Sequence, residues 1–410
     1  MPNTPDDIPS VQPVPPRVLP VQYLPPPRRG GGFLRALLVL LLFGSLALNV
    51  MLVCGGLLIR GIGVSESDYS ALPVHEKYLG GSASVTEKVA VVRIEGTIME
   101  GLLAFPHKQI EEAAKDRNVK AVVVRIESPG GTITASDDLH RRLVHLRDGT
   151  TPKLQEKGTD PKPLVVSMGA MAASGGYYIA MPAALDPKKP EEKKLFAERT
   201  TITGSIGVYA AFPNAADFAK NHGIEMDMIK AGDVKGSGSL FHKMSPQERQ
   251  PWEDMVENAY HQFISVVEEG RPMLKSKLTE DLFEPKTIPV HDDKGNVVLD
   301  DGKPKTATYT RKRADGGIFT AQEAKQYGLI DTIGTVEDAA AEAARQAGLS
   351  SYKLVHYVRP PSLLGLFAGS DASAAEQLNL GRLANVLGPR VWYIVPQAEL
   401  SALLSSGRGQ

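Results

Sequence analysis

Apolar and polar positions are arranged in three different ways along this chain. Met1 to Gly32 has almost nothing to bury, and segments such as Pro13-Val-Pro-Pro16 and Pro25-Pro-Pro27 predict a disordered or polyproline-like tail. Ala36 to Ile59 then runs for 24 residues without a charge. About 20 apolar residues span a bilayer, so residues 33–59 are expected to form an uncleaved transmembrane anchor. Arg17, Arg28, Arg29 and Arg35 precede the run, while only Arg60 follows closely. That bias places the N-terminus in the cytoplasm and the bulk of the chain outside it. Residues 60–87 read as a linker.

From residue 88 the pattern is that of a globular domain. Val89 to Ile94 and Val119 to Ile126 are short Val-rich runs of the kind that parallel sheets bury on both faces. His107 to Asp116 and Thr134 to Arg147 read as helices, the second with Leu139, Leu143 and Leu146 on one face. Pro163 to Met168 is a further strand, expected to stop at Gly169; Phe196 to Ile202 is strand-like and Ile224 to Lys230 extended. Asn214 to His222 is expected to be a helix closed by Gly223. Three more helices open on Ser245-Pro-Gln-Glu248, Thr320-Ala-Gln-Glu323 and Thr335-Val-Glu-Asp338, where a hydroxyl and a carboxylate three residues on can satisfy each other's free N–H groups. Leu154 to Pro163, Asp186 to Lys194 and Pro285 to Arg313 are polar insertions. Alternating strands and helices predict an α/β fold of repeated βαβ units over residues 88–350, with 351–410 as a C-terminal extension that the pattern does not place.

Composition narrows the chemistry. A net charge of -1 gives no reason to invoke nucleic acid. The single cysteine, Cys54, lies in the apolar run and excludes an intrachain disulfide or a thiolate cluster. The nine histidines include no HExxH-like pair, so neither a metal nor another cofactor is expected.

The candidate nucleophile is Ser174, in the small-residue segment that follows the Pro163–Met168 strand. A sharp strand-to-helix turn can set one side chain where unpaired backbone N–H groups stabilise developing negative charge. Small residues there can equally serve close helix packing, and composition leaves both readings open. A serine needs a base. His222 and His242 have no nearby carboxylate that obviously orients them, whereas Lys230 and Lys235 leave an extended segment for a Gly-rich loop. Lys235 is preferred because Gly232 and Gly236 let the backbone turn it inward.

Five motifs in order then give a resemblance. They are Ser128-Pro-Gly-Gly131, Met168-Gly-Ala-Met-Ala-Ala-Ser-Gly-Gly-Tyr-Tyr-Ile-Ala180, Thr203-Gly-Ser-Ile-Gly-Val208, Lys230-Ala-Gly-Asp-Val-Lys235, and Phe319 to Ala324 with Gly328-Leu-Ile-Asp331. Over about Val89 to Ala347 the chain resembles the signal peptide peptidase A (protease IV) family. The resemblance implies a ClpP/crotonase-like fold and a Ser–Lys dyad. Ser174 matches the nucleophile, Lys235 the general base and Ser205 the serine that orients the lysine. Gly131 and Gly175 are the oxyanion-hole candidates. Ala231 stands where family members often carry a serine, which removes a supporting hydroxyl but no catalytic group.

The function so implied is a membrane-anchored serine endopeptidase, acting outside the cytoplasm on remnant signal peptides or other extended hydrophobic segments and assembled as a homo-oligomeric ring. Two other classes are compatible with the fold. A crotonase-type acyl-CoA enzyme would need neither Ser174 nor Lys235, and a catalytically silent membrane scaffold would need no activated serine.

Overall fold

The computed structural model describes residues 74–151, 159–183, 189, 192–359 and the backbone of 390–394, together with Leu42 and Ser45. The proline tail and, but for Leu42 and Ser45, the expected anchor lie outside them, as do parts of the insertions near 154 and 186. Among the described residues no helix is long and apolar enough to cross a membrane. The chain divides into two units, Met1–Gly63 and Val64–Gln410, and the fold below belongs to the second.

In chain order the strands and helices are β1 (His75–Gly81), β2 (Lys88–Glu95), α1 (Ala104–Lys115), β3 (Val119–Ser128), β4 (Gly130–Thr132), α2 (Ile133–Asp148), β5 (Leu164–Ala173), α3 (Gly175–Tyr178), β6 (Leu195–Ala197), β7 (Ile202–Gly204) and β8 (Tyr209–Ala211). There follow α4 (Ala216–Asn221), α5 (Pro246–Gly270), the exposed hairpin strands β9 (Lys286–Pro289), β10 (Leu299–Asp300), β11 (Lys303–Pro304) and β12 (Thr306–Tyr309), then β13 (Ile318–Thr320), α6 (Ala321–Gln326), β14 (Thr332–Ile333), α7 (Val336–Gln346), β15 (Lys353–Val358) and β16 (Arg390–Ile394).

The main sheet runs β1-β15-β2-β3-β5-β6-β14, with β7 beside the end of β5 and β13 beside β7. Every pairing from β15 to β14 along that path is parallel, as is β5 with β7; β1 with β15 and β7 with β13 are antiparallel. The mixed α/β architecture expected from the sequence is therefore present. Side chains alternate between the faces. Ala90, Val92, Val122, Val124 and Val166 pack toward α1 and α2, in a core that includes Ile110, Leu139, Leu143 and Leu146. Val89, Val91, Ala121, Val123 and Val165 meet α7 through Ala339, Ala340, Ala343 and Ala344, small side chains that let that helix lie close to the sheet.

Long-range pairing changed several local expectations. β5 does not stop at Gly169 but continues to Ala173, because β7 offers Met171–Ala173 a second parallel partner once β6 has ended. Phe196–Ile202 is not one strand but the end of β6, a turn and the first residue of β7. His75–Gly81, within the expected linker, forms edge strand β1, and it does so by pairing with β15 from the C-terminal extension. Ile224–Lys230 has no regular structure. The three capping boxes at Ser245, Thr320 and Thr335 all form as read.

Gly328-Leu-Ile-Asp331 is a structural clamp. Asp331 accepts hydrogen bonds from the N–H groups of Lys194 and Leu195 at 2.7 and 2.9 Å. It also pairs with the buried Arg271 at 2.6 Å, while Arg271 donates to the Gly328 carbonyl and Tyr177 to that of Leu329. Asp331→Asn leaves one acceptor but removes the charge facing a guanidinium 2 % exposed, so we expect a loss of about 2–3 kcal/mol. Urea denaturation at unchanged m-value would measure it; an unaltered midpoint would refute the clamp.

Candidate active site

β5 delivers Ser174 to the C-terminal end of the sheet. The parallel register pairs Met171, Ala172 and Ala173 with Ile202, Thr203 and Gly204, so the next residues on the two strands are Ser174 and Ser205. The junction is tied by Ser174 N–H donating to the Gly204 carbonyl at 2.8 Å and Thr203 Oγ1 to that of Ala172 at 2.6 Å. Both serines have positive φ, 54° for Ser174 and 52° for Ser205, a region costly for a residue with a Cβ. Two adjacent strained serines, held by flanking hydrogen bonds, are what the fold pays for a turn this sharp. The Ser174 side chain is buried, and its Oγ has no hydrogen-bond partner among the described residues. Ser205 Oγ donates to the Gly316 carbonyl at 3.1 Å, which leaves its lone pairs free to accept from an ammonium.

The helix expected after Ser174 is a single turn, α3. Its macrodipole is correspondingly small, so any anion stabilisation here comes from individual N–H groups. Gly175 N–H stands at the start of that turn, where no preceding helical carbonyl can take it. Gly131 lies in β4, against which α3 packs. The loop before it is fixed by Ser128 Oγ, which accepts from Gly130 N–H at 3.1 Å. A Cβ on Gly131 would lie 1.8 Å from the Ile98 carbonyl oxygen, and one on Gly176 2.8 Å from that of Ser128. Glycine at 131 thus lets the Ile98 segment lie against β4, and glycine at 176 lets α3 close on the end of β3.

Lys235 is exposed in a turn-rich segment and makes no hydrogen bond to Ser174. Lys230 is already engaged, its ammonium 2.7 Å from Glu248 Oε1. His242 meets the other oxygen of Glu248 at 2.8 Å. Glu248 is held down to about 2 by its bond from Lys230 first, then by Ser245 N–H and His242. His222 caps α4 through the Phe218 carbonyl. Burial pushes His140 down to about 4, leaving it a neutral packing group edge-on to Tyr178 at 5.2 Å. The structure therefore gathers Ser174, Ser205, Gly131 and Gly175 at one end of the sheet, with Lys235 exposed and not hydrogen-bonded to Ser174.

Two clefts that sequence reasoning missed lie along α5. One, of about 480 Å3, opens between β8 and α5, lined by Tyr209, Phe212, Trp252, Val256 and Tyr260. A second, of about 700 Å3, lies between Thr132 at the end of β4 and Met255, Ala259 and Gln262 of α5. The apolar run Val208 to Phe212, directly after Thr203-Gly-Ser-Ile-Gly, was the available signal for the first.

The sequence profile of peptidase family S49 matches residues 156–281 and 301–350. A putative protease of Synechocystis is 30% identical over 301 residues, covering 73% of this chain and 89% of that one. Protease 4 of Salmonella typhi is 28% identical over 321 residues, 77% of this chain but 43% of the relative, so the chain spans less than half of that protein. A ClpP1 variant from Listeria monocytogenes superposes on 61% of this chain and 94% of its own at 15% identity, with a TM-score of 0.32.

Proposed function

The chain belongs to peptidase family S49, and from that membership we propose that it is a serine endopeptidase using Ser174 as nucleophile and Lys235 as general base. The observation that carries the reading is the buried, strained and unpartnered Ser174 hydroxyl beside Ser205. Lys235, neutral once freed of solvent beside Ser174, takes the hydroxyl proton; the oxygen attacks a peptide carbonyl, whose developing charge is met by the N–H groups of Gly131 and Gly175, and as the C–N bond breaks the lysine ammonium returns the proton to the departing amine. The acyl-enzyme is then hydrolysed with Lys235 again as base, and Ser205 accepts from the lysine while donating to Gly316.

Lys235 is exposed in the single chain, and the reading has a neighbouring subunit of a homo-oligomeric ring bring it, stripped of solvent, to Ser174. The exposed Ile229, Val234, Leu240 and Phe241 around it suit such a contact. The substrates proposed are remnant signal peptides or other extended hydrophobic segments, in keeping with the apolar cleft behind β8. Residues 33–59 would anchor the enzyme, with the peptidase domain, proposed to be ClpP/crotonase-like, on the extracytoplasmic side.

The test mixes two inactive variants. Ser174→Ala and Lys235→Ala should each abolish casein hydrolysis, and co-assembly of the two should restore it, since mixed contacts pair an intact serine with an intact lysine. Full activity in Lys235→Ala would assign the base to another group. No restoration from two inactive variants would place the lysine in the serine's own chain.

A further inference from the structure

The described chain between α4 and α5 has no regular helix or strand, and Lys235 lies in the middle of it. Among the described residues from Lys220 to Gln247 only Gly236 is buried. A segment with so little surface in the core needs polar contacts to fix its shape. Several of those contacts converge on one carboxylate, Glu248, which is 2 % exposed.

Lys230 donates to Glu248 Oε1 at 2.7 Å and to the Asp233 carbonyl at 2.9 Å. His242 Nε2 meets Glu248 Oε2 at 2.8 Å, and Ser245 N–H donates to the same oxygen at 3.0 Å. The His242 carbonyl accepts from Asn214 Nδ2 at 3.0 Å and that of Leu240 from Ala215 N–H at 2.7 Å, which ties this limb to the start of α4. The backbone beside Lys235 touches the same carboxylate. A Cβ on Gly236 would lie 3.0 Å from Glu248 Oε1, 2.8 Å from Met228 Sδ and 3.5 Å from His242 Cδ2. Lys235 therefore has Asp233 held on one side by Lys230, and Gly236 seated on the other against Glu248.

Glu248 is a fixed point because the core sets its place. It stands in the first turn of α5, a helix anchored by the buried Phe263 and Val267, and its N–H donates to Ser245 Oγ at 3.2 Å. The capping box needs only an acceptor at this position, which glutamine also provides. The Lys230 ammonium calls for a negative charge, so the carboxylate serves a purpose beyond the cap.

We propose that Glu248 is a positioning residue for the general base: through Lys230, Gly236 and His242 it fixes the backbone that presents Lys235 to Ser174. This deepens the peptidase reading and rests on it for the role of Lys235. Holding the base in place beforehand removes ordering entropy from the reaction step, and a displacement of about 1 Å costs about a hundredfold in rate. Lys230, the first cation of Lys230-Ala-Gly-Asp-Val-Lys235, is then a strut for the second.

Glu248→Gln in the full-length chain keeps an acceptor for the cap but lacks the charge that Lys230 meets. Its kcat on a fluorogenic peptide should fall about tenfold to a hundredfold at a KM within about twofold of the parent's, because the base is displaced and the peptide site is not. Lys230→Met should show the same split, and Lys230→Arg, which restores the charge and the donors, should recover most of kcat. Ser245→Ala weakens the same helix start but leaves the side-chain bonds of Lys230 and His242, so kcat should stay within about twofold. Equal losses in Ser245→Ala and Glu248→Gln would reduce Glu248 to a capping residue and overturn the proposal, as would parental kcat in Glu248→Gln. Amide hydrogen exchange over residues 231–239 keeps that failure apart from failure of the dyad. Faster exchange in Glu248→Gln together with full activity in Lys235→Ala would remove Lys235 from the mechanism, and the role of Glu248 with it. Unaltered exchange and kcat in Glu248→Gln beside an inactive Lys235→Ala would overturn the positioning alone.

Discussion

Ser174→Gly should abolish peptide hydrolysis and at the same time raise the melting temperature. Activity falls about a thousandfold or more, because what remains is substrate binding and oxyanion stabilisation without a nucleophile. Stability rises for a separate reason. Ser174 sits at φ 54° and ψ −117°, a conformation that glycine adopts freely and that costs a residue with a Cβ about 1–3 kcal/mol. Glycine's extra freedom in the unfolded chain returns about 0.5–1 kcal/mol of that. The net gain of about 1 kcal/mol corresponds to roughly 2 °C in a domain of this size. Ser174→Ala is the control: it keeps the Cβ and so the strain, and should lose activity with little change in melting temperature. If the glycine variant melted lower than the alanine variant, the strain argument would be wrong; hydrolysis by either would remove Ser174 from the mechanism.

Gly131→Ala should damage both stability and catalysis. The new Cβ would lie 1.8 Å from the Ile98 oxygen, 2.5 Å from its carbonyl carbon and 2.8 Å from its Cα. These are backbone atoms, with no rotamer to turn aside. β4 must move away from Ile98, breaking the two 2.9 Å bonds that hold it, or remain in a strained contact. A loss of about 2–4 kcal/mol is expected, with kcat falling about 10²- to 10³-fold as the N–H is displaced from the oxyanion position. Gly96→Ala is the comparison. Its φ is +73° but nothing lies within 4 Å of the added carbon, so only the left-handed strain of about 1 kcal/mol should appear, with unchanged kcat. Equal melting points for the two variants would show that the Ile98 contact gives way easily.

The parts of the site read from sequence are those whose neighbours in sequence are also their neighbours in space. Ser128-Pro-Gly-Gly131 makes its own turn, with Ser128 bonded two residues on, and the segment around Ser174 carries the glycine that lets it approach Ser128. The capping boxes are local for the same reason. By contrast, nothing near Gly169 says that its strand will continue, because the partner that continues it is thirty residues away in β7. Nor does His75–Gly81 look like a strand until Lys353–Val358 comes to lie beside it.

The sequence by itself determined the α/β alternation and the three capped helix starts, which follow from hydrophobic period and side-chain-to-backbone bonds acting over a few residues. Local pattern offered Ser174 as a candidate nucleophile, while Ser205 and the glycines of the candidate oxyanion hole came from the family resemblance. Tertiary structure alone decided the rest. It set Ser174 beside Ser205 through the β5–β7 register, left Lys235 in solvent, and laid β16 between β4 and β8. Strand pairing at long sequence separation is governed by which free edge is within reach, and that edge exists only once the sheet has formed.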